Sequence, residues 1–327
     1  MRGLTQTFVV TMAFWLSAGT ASAESGPQVV DPSSQSSPFD GQAGKRTKLG
    51  YGRLTSNDTI GDGQDRWRTG SVTMSRAYGY EWTGMAPRQF GALIEARYQG
   101  QIIAPDNLQR YDPSDRRYAG FWSIGAHTHG TLGRASEYSL GGDLVIVGPQ
   151  TKLSQFQKEF HKMVGKPEPS DDVLDHQIGN KFRLTVVGEV ARSFAVGRST
   201  TIRPFAEARA GDETLLRAGA DIRIGRVGLG ELLARESVTG QRYRIIYRSD
   251  PGFSFVLGAD MAYVTDSIYL PSGGPVTLKN RRERARLGLH WNGNEASFFY
   301  GLTYLGPEFE TQSEGQVIGS MRIRILF

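Results

Sequence analysis

Along most of the chain, apolar and polar residues alternate with the period of two that a β-strand imposes. In the last stretch Val317, Gly319, Met321, Ile323, Ile325 and Phe327 share one face, with Ser320, Arg322 and Arg324 on the other. The same pattern sets Leu216, Ala218, Ala220, Ile222 and Ile224 against Arg217, Asp221 and Arg223, and Ile202, Ala206, Ala208 and Ala210 against Arg203, Glu207 and Arg209. It also sets Ala285, Leu287, Leu289 and Trp291 against Arg284, Arg286 and His290. A soluble sandwich would bury the apolar face and wet the charged one. A membrane barrel turns the apolar face to lipid and closes its lumen with ion pairs, which suits a polar face carrying both signs of charge.

The expected fold is all-β: an antiparallel transmembrane barrel of outer-membrane type with about twelve strands. The limits read from the pattern are 46–57, 66–77, 88–103, 118–130, 136–147, 175–192, 200–211, 215–226, 241–265, 279–291, 295–305 and 316–327. Trp122, Tyr138, Tyr263, Trp291, Phe299, Tyr300 and Tyr304 are candidates for interfacial girdles. One stretch breaks the period. From Gly148 to Pro169, Leu153, Phe156, Phe160, Met163 and Val164 recur at helical spacing, with Thr151 or Ser154 as a start, Gly165 as a left-handed stop and Pro167 beyond it. This helix carries His161.

Ahead of the barrel, Arg2, the apolar run Phe8 to Ser17 and Ala21-Ser22-Ala23 read as a signal peptide over 1–23. The apolar run is shorter than the ~20 residues a spanning helix needs. Residues 24–45, rich in Pro, Ser, Gly and Gln, read as a flexible leader, and 46–327 as the barrel.

Composition narrows the chemistry. Cysteine is absent, which excludes thiolate catalysis, Cys-bound metal and disulfides. The net charge is +5, but Arg is spread over strands and loops without a basic tract, so nucleic acid is not an expected partner. No Gly-X-Ser-X-Gly elbow occurs, which argues against a serine nucleophile.

In a barrel with an even number of strands both termini lie on the periplasmic side, so odd connections face outward. The first (Asp58 to Asp65), third (Pro105 to Arg117) and fifth (the helical stretch) are the most charged in the first half. On strand faces, Asn57 and Thr69 are expected to point inward at the outer rim, with His161 delivered from above, Glu168 just past the helix and Arg110 on the neighbouring loop. Arg110, Arg116, Lys162 and Lys166 are candidate phosphate contacts. His127 and His129 share a face of the fourth strand and read as lumen polar residues; His176 follows the outer loop, and His290 sits among inward Arg residues near the periplasmic end.

The run Asn57-Asp58, Asp65-Arg66-Trp67-Arg68-Thr69-Gly70, Ala104-Pro105, Asp115-Arg116-Arg117-Tyr118-Ala119-Gly120, Val147-Gly148-Pro149, Gln157 and His161 resembles the lipid A 3′-O-deacylase family from about residue 46 onward. The resemblance implies an outer-membrane monomer that hydrolyses the 3′-linked acyloxyacyl ester of lipid A, using calcium, at the extracellular rim. It places the family's site on Asn57, Asp58, Thr69, His161 and Glu168, with a basic substrate contact near Arg110; Asp171 or Asp172 takes the place of Glu168 after a small alignment shift. In this reading His161 is the general base on water, since an imidazole titrates near neutrality. Asp58 and Asn57 would be the calcium ligands, and Arg110, Lys162 and Lys166 the substrate contacts. Competing readings are a non-catalytic porin or adhesion barrel and an outer-membrane phospholipase.

Overall fold

The structure is a computed structural model that describes residues 44–133 and 136–325. The expected signal segment, nearly all of the leader, and Phe327 lie outside the described residues. The strands are β1 (Thr47–Asn57), β2 (Trp67–Gly79), β3 (Ile94–Ala104), β4 (Ala119–Leu132), β5 (Ser136–Val147), β6 (Lys181–Arg192), β7 (Phe194–Val196), β8 (Thr200–Ala210) and β9 (Glu213–Gly225). They continue with β10 (Leu232–Arg235), β11 (Arg242–Ile246), β12 (Gly252–Ser267), β13 (Arg281–Asn292), β14 (Ala296–Leu305) and β15 (Gln316–Ile325). Two helices, α1 (Leu153–Val164) and α2 (Asp171–Asp175), interrupt them.

Every neighbouring pair of wall strands is antiparallel, and β1 pairs with both β2 and β15, so the sheet closes on itself. Twelve strands make the wall; β7 is a short continuation in the β6–β8 hairpin, and β10 and β11 form a sheet of their own. Closure removes the unpaired edges an open sheet would present. The alternation has the expected sense: Leu184, Leu216 and Tyr263 are 79%, 68% and 61% exposed on the outside, whereas Arg284 and Arg286 are buried with Asp260 and Asp221. Arg235 joins Glu189 and Asp221 at 2.5 and 2.8 Å, and Arg203 reaches Glu189 at 2.9 Å. A charge taken out of water must find such a partner.

Side chains alone do not fill the lumen. The residues expected as one strand over 241–265 divide, and 226–251 fold back into the barrel, where β10 and β11 make an inner hairpin. Leu232, Ala234, Tyr243, Ile245 and Ile246 of this hairpin pack on the inward residues Leu54, Ala77, Leu93 and Phe299. The alternation Arg242-Tyr243-Arg244-Ile245 reads as a wall strand because a plug strand also has one apolar and one polar face. What admits it is glycine: a Cβ at Gly52 would stand 2.6 Å from the Arg244 carbonyl oxygen. Phe299, expected in an outer girdle, is 1% exposed inside against His290. The expected strand starts at 88 and 175 move to Ile94 and Lys181.

Calling the end where the chain enters β1 the near end, the odd connections 58–66, 105–118, 148–180, 211–212, 268–280 and 306–315 all lie at the far end, as parity requires. They are tied together there. Arg66 pairs with Asp106 at 3.2 Å and Glu314 at 2.9 Å, and the Ser170 amide donates to the Leu108 carbonyl at 2.9 Å.

Candidate active site

β1 ends at Asn57, whose extended backbone (φ −155°, ψ 142°) and side-chain oxygen, accepting the Thr59 amide at 2.8 Å, turn the chain into a short 3₁₀ turn at Asp58–Ile60. The β1–β2 register pairs Asn57 with Gly70 and Ser56 with Ser71. Ser71 reaches Glu236 of the inner hairpin's turn, so that pair faces the lumen and Asn57 faces away from it. The expectation that Asn57 points inward is corrected by this register; beyond Gly70 a β-bulge breaks the alternation of β2, and Arg68 is the residue that enters the lumen, toward Glu308 and Glu213. Asp58, one residue on, swings into the protein and is fully buried.

α1 starts at Lys152, held left-handed at φ 61°, and stops at Gly165, left-handed at φ 70° as its position predicts. Lys152, at the N-cap position, makes no side-chain cap bond; the Thr151 hydroxyl donates to the Gly148 carbonyl at 2.7 Å and accepts the first helical amide, of Leu153, at 3.4 Å. The helix lies against the wall over Gly120, where a Cβ would come within 2.8 Å of Leu153 Cβ. Trp122 fixes it further by donating to the Thr151 carbonyl at 3.1 Å. Its buried stripe is Leu153, Ser154, Gln157 and His161, while Phe156 and Met163 are exposed and Phe160 half-buried. The apolar face read from the sequence therefore points outward. Polar groups are what the helix turns to the wall.

Between helix and wall four side chains meet. The Thr69 hydroxyl stands 2.9 Å from Asp58 Oδ1 and 2.7 Å from Asp65 Oδ1. Asp65 Oδ2 lies 3.1 Å from His161 Nε2, and His161 Nδ1 donates to the Pro167 carbonyl at 2.6 Å. Gln157 accepts from the Tyr118 hydroxyl at 2.8 Å and turns its amide toward Asp65. Asp58 Oδ2 accepts the Arg66 amide at 2.8 Å and the Gln316 side chain at 3.3 Å.

One hydroxyl proton cannot serve two carboxylates. Burial, reinforced by the negative charge of Asp65, pushes the Asp58 carboxyl well above the usual carboxylate range. Burial also works to raise Asp65, but its hydrogen bond to His161, the charge of that imidazole and the Thr69 hydroxyl outweigh it and hold Asp65 below the usual range. For His161, burial favours the neutral ring and is outweighed by the hydrogen bond and charge of Asp65, so the imidazole is held above its ordinary value. A neutral Asp58 donating to Thr69, Thr69 donating to an ionised Asp65, and a protonated His161 between Asp65 and Pro167 give every contact its proton. The result is a continuous chain from the floor of the barrel rim to the helix.

The remaining expected residues are placed as follows. Lys166 donates to the Thr59 hydroxyl at 2.9 Å and lies 3.6 Å from Asp65, so it belongs to the site. Glu168 contributes its backbone carbonyl to Gln109, and its carboxylate has no partner among the described residues. Lys162 and Arg110 are exposed on the helix and the neighbouring loop. Arg116 is not available to a phosphate: it is buried and bonded to Glu308. Asp171 holds Lys158 at 3.1 Å, and Asp172 accepts the Tyr111 amide at 2.8 Å. His176 stacks on Tyr111 at 3.8 Å, clear of the site, while His127 and His129 are lumen residues paired with Asp143 and Glu95.

Sequence reading missed Asp65 as a member. It stood in the Asp65-Arg66-Trp67-Arg68-Thr69 run, but a lone loop carboxylate gives no sign of its partner until the helix is docked.

Calcium takes about six to eight oxygen ligands. Among the described residues no group of three or more His, Asp and Glu is arranged to hold a metal ion. Asn57 Oδ1 is committed to the Thr59 amide and both Asp58 oxygens to protein partners. As arranged, Asn57 and Asp58 do not fit a calcium cage.

The sequence matches the family described as "Outer membrane protein LpxR" over residues 12–327. Among solved structures, LpxR from Salmonella typhimurium has a TM-score of 0.70 at 18% identity, covering 85% of this chain and 99% of that one. The KdgM porin, with a TM-score of 0.37 at 7% identity, covers 85% and 98%. A comparison with curated proteins finds no match. The chain belongs to the LpxR family of outer-membrane proteins, the lipid A 3′-O-deacylases, and is an outer-membrane β-barrel.

Proposed function

We propose that this protein is a monomeric carboxylic ester hydrolase that removes the 3′-linked acyloxyacyl group of lipid A, with the far rim of the barrel outside the cell. The observation that carries the reading is His161, fixed by Pro167 on one nitrogen and facing Asp65 with the other, beneath a helix whose outer face is Phe156, Phe160 and Met163. A soluble substrate would not require an apolar face there. An acyl chain alongside the barrel would lie against it.

Because Nδ1 is committed to the Pro167 carbonyl, Nε2 is the nitrogen that takes a proton from water. Asp65 holds the protonated nitrogen in the resting state; once that proton has passed to solvent, a water entering between the two is hydrogen-bonded by both, the neutral His161 takes its proton as oxygen attacks the ester carbon, and Nε2 returns that proton to the sugar 3′ oxygen as the acyl C–O bond breaks. Thr69 keeps Asp65 in place. Lys166 brings positive charge next to the oxyanion that develops, and Lys162 and Arg110, open to solvent, attract the phosphates of lipid A. Glu168 holds the segment after the helix through its backbone. Calcium rests on the resemblance alone, and no step is assigned to it. The porin reading is disfavoured by the inner hairpin, which occupies the lumen.

Mass spectrometry of lipid A incubated with the purified chain tests this. Loss of the mass of the 3′ acyloxyacyl group, with glycerophospholipids in the same mixture intact, supports it; release of glycerophospholipid acyl chains instead identifies a phospholipase.

A further inference from the structure

Toward the near end, the lumen holds a cavity of about 450 Å³ between the inner hairpin and the wall, lined in part by Arg223, Glu231, Arg242 and His290. Elsewhere in it, Arg203, Arg235 and Arg286 are matched by Glu189 and Asp221. One corner is not matched. His290 is 3% exposed and neither ring nitrogen has a hydrogen-bond partner; the fully buried Ser254 hydroxyl, directly across from it on β12, has none either. Arg223 and Arg242 line the cavity with it, whereas Arg244 and Arg322, whose charges also bear on this imidazole, lie outside that lining. Glu231 holds Arg244 at 2.5 Å. Arg223 bonds only to the Gly225 carbonyl and the Thr201 hydroxyl, Arg242 only to the Leu233 carbonyl, and Arg322 lies 4.5 Å over the Tyr247 ring. Among the described residues none of these three has a carboxylate partner.

Arg223 and Arg242 are half-buried; cations drawn out of water without counter-charge are unfavourable, and water satisfies donors without neutralising them. Several N–H and O–H donors converging from different strands match a tetrahedral oxyanion, which accepts from many directions at once. We propose that this corner of the cavity binds a phosphate-type oxyanion, with Arg242 and His290 as donors and Arg223 supplying charge. It is separate from the far-rim site and does not depend on its chemistry.

The test is titration of inorganic phosphate into the full-length chain in phosphate-free detergent micelles, followed by calorimetry and ³¹P NMR. One saturable site is expected, weakened at least about tenfold by Arg242→Gln or Arg223→Gln and unchanged by Arg281→Gln, an exposed far-end control. Should either arginine variant fail to fold, His290→Phe keeps the charges and removes a donor, and it is expected to weaken binding. Glycerol phosphate should compete, whereas detergent-dispersed phosphatidate should not. Absence of saturable binding, binding indifferent to all three substitutions, or competition by phosphatidate alone would overturn the proposal.

Discussion

Asp65 Oδ2 stands 3.1 Å from His161 Nε2, the one ring nitrogen that Pro167 leaves free. The contact raises the imidazole above its ordinary value, so the neutral base forms only as pH rises through that raised value. Asp65→Asn removes the charge. The acid limb of kcat/KM should move to lower pH, and maximal rate should fall by about 10²-fold if the carboxylate also positions the ring. The same contact contributes stability that is fully present below the unfolded histidine value of about 6.5 and is lost as pH rises through the folded one. A pH profile of Asp65→Asn superimposable on that of the wild type would remove Asp65 from the mechanism.

Asp58 has the opposite sign from an ordinary paired carboxylate. Its folded value is raised by burial and by Asp65, so stability falls as pH climbs from about 3.9 through the folded value. Asp58→Asn should flatten that dependence, measured as denaturation midpoint against pH, while lowering lipid A hydrolysis. A variant whose stability keeps the wild-type pH slope would show that Asp58 is not the source of it.

The exposed apolar stripe of α1 should act on substrate binding and leave the chemical step alone. Phe156→Ser with Phe160→Ser should raise KM for lipid A about three- to tenfold at nearly constant kcat, the size expected for partial burial of two aromatic rings. Loss of kcat at constant KM would mean that the stripe holds the helix instead.

Calcium removal addresses what the resemblance implies and the side chains do not prearrange. If a calcium ion assembles its ligands only with substrate present, stringent chelation should abolish hydrolysis and added calcium restore it. Hydrolysis undiminished by chelation would fit the arrangement of Asn57 and Asp58 as it stands, with their oxygens committed to protein donors.

How far the sequence discloses the molecule depends on whether a residue's partner is local. Strand alternation depends only on neighbours two apart, so the barrel, its even strand number and the rim carrying the odd loops were legible. The inner hairpin was not, because Tyr243 and Ile245 alternate with arginines as a wall strand does, and only the close approach to Gly52 shows where they go. At the site, His161, Thr69 and Asp58 were identified through the resemblance. The outward turn of Asn57 follows from the β1–β2 register, and a one-residue difference in register reverses a side chain's face. The spacing of Phe156, Phe160 and Met163 predicts the helix but not which face docks: beside a lipid-facing wall, α1 buries Gln157 and His161 and leaves Phe156 outside.

The most direct measurement is fatty-acid release from lipid A by the folded, inserted His161→Gln variant in a single-turnover assay. If His161 Nε2 is the general base, release should fall by about 10²- to 10⁴-fold with the substrate still bound. Release at the wild-type rate would contradict it.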